Sequence, residues 1–203
     1  MSFLTRIKLG NITNLADARY AAAAGVDYMG FCFDPAGEHY ITPIKAREII
    51  DWTSGSSVVG EFGNQTFEEI RDISELLGVD VIEANNRLLP DELMSLGKAV
   101  IKKIDISEFD GSQLHTEIEA YKHVADAFHL YASGTPAVTE DELEKICASF
   151  QVIWGLGLTV DNVLHIIERF RPFAINLSGG FEEKAGIRDF DEMNDLFEKL
   201  AVE

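Results

Sequence analysis

The chain reads as an α/β protein of about eight strand-helix units, the number that closes a (β/α)8 TIM barrel. Two observations predict this. Short apolar runs alternate with longer amphipathic stretches from one end to the other, the pattern of repeated units around a parallel sheet. Many of the short runs are apolar nearly throughout, as strands covered on both faces must be. A doubly wound open sheet shares the alternation and is the competing architecture; a compact repeat of about 25 residues favours the barrel.

The strands are expected at Arg6–Gly10, Tyr28–Phe33, Ser57–Phe62, Val79–Ala84, Ala99–Ile104, Ala127–Ala132, Val152–Leu156 and Phe173–Leu177. Helices are expected between them at Ala16–Ala24, Pro43–Trp52, Phe67–Leu77, Pro90–Leu96, Thr116–Val124, Glu140–Ser149, Val160–Phe170 and Phe190–Leu200. Three helix starts carry clear signals: Thr42 before Pro43, Thr66 with Glu69 three residues on, and Thr159 before Asp161. These supply a capping hydroxyl with a first-turn proline, a capping box, and a second capping hydroxyl. No linker or low-complexity tract interrupts the alternation, so residues 1–203 are expected to form one domain.

Composition excludes several functions. A formal net charge of −18 argues against nucleic acid or an anionic membrane as partner, because both require a basic surface to displace counterions. No apolar run is long enough to span a bilayer, and the first ten residues lack the pattern of a signal peptide, so the cytoplasm is the expected compartment. Cys32 and Cys147 lack metal-type spacing and are expected as reduced thiols. Neither a metal nor a cofactor is expected.

Specific motifs carry a resemblance. Ile7-Lys8-Leu9-Gly10-Asn11-Ile12-Thr13-Asn14 resembles the first-strand Lys-Ile-Cys-Gly-Ile-Thr-Asn of the phosphoribosylanthranilate isomerase family. Val59-Gly60-Glu61-Phe62-Gly63-Asn64 resembles its Val-Gly-Val-Phe-Val-Asn, and Tyr40-Ile41-Thr42-Pro43 resembles its Tyr-Ile-Ser-Pro. The run from Arg171 to Glu182 is similar to its Arg-Pro-x-x-Val-Asp-Val-Ser-Ser-Gly-Val-Glu. The resemblance covers nearly the whole chain. It implies a single-domain (β/α)8 barrel and an aldose-ketose rearrangement in tryptophan biosynthesis.

The departures fall on functional positions. The family's cysteine base aligns with Gly10, and its aspartic acid after the sixth strand aligns with Tyr131. The family's glycine-rich loop after that strand is reduced to Ser133-Gly134-Thr135, and its loop arginine is replaced by His39. Losing a general acid or base commonly costs about 10²–10⁴-fold each, so the parent activity is expected to be lost or much reduced.

Asp34, Glu61, Glu83 and Lys102 are the candidates for substitute chemistry at the strand ends, where such barrels place their active face. The alignment puts Lys102 of the Lys102-Lys103 pair inward; as a structural residue it would pair with an acid. Parity sets Lys8 and His129 one layer below Gly10 and Tyr131, with Asn176 and Ser178 on one face. His129 reads as a hydrogen-bonded core histidine, and Cys32, flanked by aromatics, as a small buried side chain. Gly157, Leu158, Ser178, Gly179 and Gly180 keep the small-residue character of a phosphate site after strands seven and eight; tight turns would explain the glycines equally. A phosphorylated small molecule is the expected ligand. Three functional readings follow: a barrel that has lost the parent reaction, an enzyme acting on a different sugar phosphate, or a non-catalytic partner, as monomer or homodimer.

Overall fold

The computed structural model describes residues 2–85, 88–178, 182–184, 187–188 and 191–202. Eight parallel strands close a barrel in chain order, which excludes the open sheet. They are β2 (Arg6–Gly10), β3 (Tyr28–Cys32), β4 (Ser57–Phe62), β5 (Val81–Ala84), β6 (Ala99–Asp105), β7 (Ala127–Tyr131), β8 (Val152–Trp154) and β9 (Ala174–Ser178). A short β1 (Ser2–Phe3) pairs antiparallel with β12 (Ala201–Val202), joining the two ends of the chain beneath the barrel. The hairpin strands β10 (Glu182–Lys184) and β11 (Ile187–Arg188) lie outside the barrel sheet.

The helices are α1 (Leu15–Ala24), α2 (Pro43–Ile50), α3 (Phe67–Leu77), α4 (Pro90–Ser95), α5 (Gly111–Tyr121), α6 (Glu140–Ser149), α7 (Val163–Phe170) and α8 (Asp191–Leu200). Thr42 caps α2 and Thr66 makes a capping box with Glu69 on α3, as expected. Two starts differ. Helix α5 begins five residues before the expected Thr116, because Asp110 and Gln113 form a capping box around Gly111 that satisfies the first-turn donors. Helix α7 begins at Val163 with Asn162 as its cap; Thr159 serves a preceding turn, donating its N–H to Asn162 Oδ1 at 2.8 Å.

One device recurs at the barrel base. Asp27, Asp80 and Asp126 each precede a strand and accept the N–H of Ile7, Val58 and Val100 at 2.8–2.9 Å. The same three residues return their own N–H to the carbonyls of Ile7, Val58 and Val100. These reciprocal bonds satisfy backbone groups where the parallel ladder begins.

Two apolar layers result. Outward residues such as Leu9, Phe31, Phe62, Ile82, Leu130 and Trp154 pack against the helices. Val59, Val81, Ile101, Ala127, Ile153 and Ala174 fill the barrel's lower interior. Alternation then decides what stands above that plug: the next inward residues are Lys8, Glu61, Glu83, Lys103, His129 and Asn176.

Candidate functional site

The inward layer above the apolar plug is a buried charge network. Lys8, with no solvent exposure, donates to Glu61 and to Asn176 Oδ1 at 2.9 Å and pairs with Glu83 Oε2 at 3.1 Å. His129 Nδ1 lies 3.1 Å from the same Glu83 oxygen, and Lys103 Nζ lies 3.8 Å from Glu83 Oε1. With the histidine neutral, two ammonium groups balance two carboxylates, which makes burial of four charges tolerable.

The protonation states follow from position. Burial opposes the Lys8 charge, but Glu61 and Glu83 more than offset it and raise its pKa above 10.5. Burial likewise opposes the Glu83 charge, and Lys8 overcomes it, holding the carboxyl well below its usual range. His129 goes the other way: burial lowers its pKa below 6.5 despite Glu83.

A pH dependence of stability follows. A histidine with a depressed pKa contributes stability that is present above 6.5 and lost as pH falls toward its folded value. Glu83, also depressed, adds its loss only below 4.5. The unfolding free energy from urea titrations should therefore begin to fall near pH 6.5, with a slope approaching about 1.4 kcal/mol per pH unit. His129→Asn should remove that onset and leave the more acidic one.

Two cavities open above this layer. One, of about 190 Å³, is lined by Lys8, Gly10, Asn11, Glu61, Lys103, His129, Tyr131, Ala132, Gly155, Asn176 and Ser178. The other, of about 210 Å³, includes Asn11, Cys32, Asp34, His39, Glu61, Glu83, Asn85 and Lys103. They share Asn11, Glu61 and Lys103. Asp34 lies at its rim, accepting the Ala36 N–H at 3.0 Å. Cys32 is half-buried, and burial pushes its thiol pKa up, consistent with a packing role. Tyr131 is half-buried, with the His129 ring centroid 6.3 Å away and Lys103 Nζ 4.9 Å over the phenol ring. Asp105, on the rung paired with Tyr131, accepts from Ser107 and Ser133 and is held below its usual range by those bonds, against burial.

One expectation is corrected. Lys102 does not face the barrel. Its ammonium lies 4.2 Å over the Tyr121 ring on α5, and burial in that apolar layer lowers its pKa. Lys103 is the inward lysine, because the β6 register pairs it with His129. Sequence reading missed Lys103 and the Glu83–His129 contact; continuing the parity of Tyr131 across to β6 would have found the lysine.

Of the phosphate candidates, Gly157, Leu158 and Ser178 lie among the described residues. Ser178 is exposed beside Gly10 on the paired rung and lines the smaller cavity. Gly157 lines a different, apolar cavity of about 550 Å³ beneath α6 and α7, and its φ of +52° explains the glycine by backbone conformation. Leu158 packs partly against the outer core. Gly179 and Gly180 lie outside the described residues.

A family model described as N-(5'phosphoribosyl)anthranilate (PRA) isomerase matches residues 7–199. The chain belongs to the phosphoribosylanthranilate isomerase family. The family's enzyme from Nitrosomonas eutropha is 32% identical over 198 residues, covering 93% of this chain and 93% of that protein. The phosphoribosyl anthranilate isomerase structure from Thermus thermophilus superposes with a TM-score of 0.81 at 25% identity, covering 96% of this chain and 98% of that one. Another isomerase, solved with reduced 1-(o-carboxyphenylamino)-1-deoxyribulose 5-phosphate, shares the fold with a TM-score of 0.80 at 24% identity, covering 96% and 97%. No helix among the described residues is long and apolar enough to cross a membrane.

Within a phosphoribosylanthranilate isomerase barrel the pairing of Gly10 with Glu61 gains meaning. A Cβ at Gly10 would lie 2.9 Å from Glu61 Oε1, 3.3 Å from Asn176 Oδ1 and 3.3 Å from Lys8 Nζ. At Gly30 a Cβ would meet the same carboxylate even more closely. The Glu61 carboxylate therefore stands directly against the backbone of Gly10 and Gly30.

Proposed function

We propose that this chain is a phosphoribosylanthranilate isomerase-family barrel in which the parent rearrangement is lost or much reduced, with a mouth that still takes a phosphorylated small molecule. The observation that carries this reading is the Gly10–Glu61 exchange. Where the family places a thiol, this chain has a bare backbone with the Glu61 carboxylate, engaged by Lys8, packed against it. The family's acid position holds Tyr131, whose phenol burial pushes above its usual pKa of 10.0, so it is a much weaker acid than a carboxyl group. Residues 132–139 connect β7 to α6.

Retention of a phosphorylated ligand is supported by exposed Ser178 at the end of β9, by the phosphate habit of the fold after the last strands, and by the phosphorylated compound held by the related isomerase. The absence of a basic exterior means that backbone amides and the inner lysines must capture it. We place the reaction space in the cytoplasm, in keeping with a biosynthetic family.

The test is a steady-state assay with N-(5'-phosphoribosyl)anthranilate. Two lost groups, at about 10²–10⁴-fold each, should leave turnover at least about 10⁴-fold below a competent isomerase. Turnover at an ordinary enzymatic rate would overturn the reading.

A further inference from the structure

The apolar cavity of about 550 Å³ beneath α6 and α7 lies on the helix side of the barrel wall. Val138, Leu143, Trp154, Leu156, Ile166 and Phe170 line it, and each belongs to the outer apolar layer or packs against it. Five of them, all but Leu156, keep 4–8% exposure apiece, so open space reaches the wall. Ala132 and Gly155, which follow β7 and β8, border both this cavity and the mouth. Lys8, Glu61, Lys103 and Asn176 border the mouth alone. A volume of this size holds a small organic molecule.

The sequence keeps the space open. Gly155 and Gly157 put no side chain into it. A Cβ at Gly157 would meet no atom within 4 Å, and its φ of +52° disfavours any residue but glycine.

The chemistry of the wall selects the occupant. Trp154 donates its indole N–H to the Leu156 carbonyl at 2.8 Å. Asn162 donates its side-chain N–H to the Gly157 carbonyl at 2.7 Å, and its Oδ1 accepts the Thr159 N–H at 2.8 Å. With these groups engaged, a polar ligand atom placed deep in the cavity would give up water without replacement. The deep part of the ligand is therefore apolar. Trp154 and Phe170 stand with ring centroids 4.4 Å apart at 33°, and a flat aromatic ring gains contact with them beyond its buried area.

Charge enters at the rim. Glu140 and His165 are exposed and line the cavity. Arg169 is shared among Glu140, Asp141 and Glu144, three carboxylates to one guanidinium, on a chain of net charge −18. That field repels an anion and draws in a cation.

We propose that this cavity is a second ligand site, taking a planar aromatic molecule that carries an ammonium group. The rings lie against Trp154 and Phe170, and the cation sits at the Glu140 rim. The site is separate from the mouth and does not depend on what the mouth binds.

The test is an NMR titration of the isotope-labelled chain, read at the two tryptophan indole N–H groups. Trp154 is in the cavity wall, whereas Trp52, just beyond α2, is 70% exposed and serves as the control. Trp52→Phe assigns the pair. The probes are naphthylmethylamine, the anion naphthoate and the non-aromatic cyclohexylmethylamine. Naphthylmethylamine should move the Trp154 resonance saturably, leave that of Trp52 in place, and show Overhauser contacts to the Leu143 and Ile166 methyl groups. Naphthoate and cyclohexylmethylamine should each bind at least about two-fold more weakly. Glu140→Gln should narrow the preference for naphthylmethylamine over naphthoate by about two- to five-fold. Leu156→Arg, which puts a guanidinium into the apolar space, should weaken naphthylmethylamine at least about ten-fold.

If Leu156→Arg does not fold, the methyl contacts and Glu140→Gln, at an exposed side chain, decide the matter. No saturable change at Trp154 overturns the proposal, and so does a change without contacts to Leu143 and Ile166. Naphthoate or cyclohexylmethylamine binding as tightly as naphthylmethylamine overturns the assigned ligand class. Each of these results leaves the reading of the mouth unaffected, since phosphate binding there is measured separately.

Discussion

A variant combining Gly10→Cys, Glu61→Val and Tyr131→Asp should turn over N-(5'-phosphoribosyl)anthranilate at least about 10²-fold faster in kcat/KM than the natural chain. Gly10→Cys and Glu61→Val must be made together for a steric reason. With Glu61 present, a side chain at position 10 meets Oε1 at 2.9 Å before it has a thiol, with Asn176 and Lys8 close on its other sides. Gly10→Cys alone should therefore lose about 1–3 kcal/mol from crowding and gain no activity. Glu61→Val removes that crowding but leaves Lys8 with Glu83 as its carboxylate, so the relief should appear as a coupling of at least about 0.5 kcal/mol in a double-mutant cycle. Denaturant midpoints of the four proteins in the cycle measure this, and additive effects would show that the carboxylate and the missing side chain do not share one space. Substrate affinity should stay weak even in the triple variant, because the segment of residues 132–139 is unchanged.

Lys8→Met should destabilise the fold by about 3–5 kcal/mol, a large part of an ordinary domain's stability. Lys8 is the hub of the buried layer: it holds Glu61, Glu83 and Asn176 with no solvent exposure of its own. Its removal leaves two carboxylates in the interior with Lys103, at 3.8 Å from one Glu83 oxygen, as the nearby lysine among the described residues. The loss arises from uncompensated charge, so it should shrink as pH falls and the carboxyl groups, their pKa values now raised by burial, take up protons. Urea denaturation of the variant at pH 7 and pH 5 tests this. A Lys8→Met protein as stable as the natural chain at pH 7 would show that the network contributes little.

These predictions depend on features unequally visible in the sequence. Capping signals at Thr42 and Thr66 were legible because a cap is local: its donors lie within three residues of the hydroxyl. Asp110 and Gln113 are as local, but Gly111 between them reads as a turn, and the start of α5 was displaced accordingly. The residues that align with the family's catalytic positions, Gly10 and Tyr131, could be named from the sequence, since motifs fix position along the chain. What stands around them could not.

The order of eight strand-helix units, their apolar faces and the family followed from the sequence itself, because period, capping and motif are written in neighbouring residues. Three matters were decided only by the closed barrel. Lys103 rather than Lys102 faces the mouth, since strand register is fixed by pairing with β7. Glu61 enters the space beside Gly10 and Gly30 from another strand. His129 is held by Glu83 from 46 residues away. Each is a contact between residues distant in sequence, and barrel closure, which sets every register at once, is what brings them together.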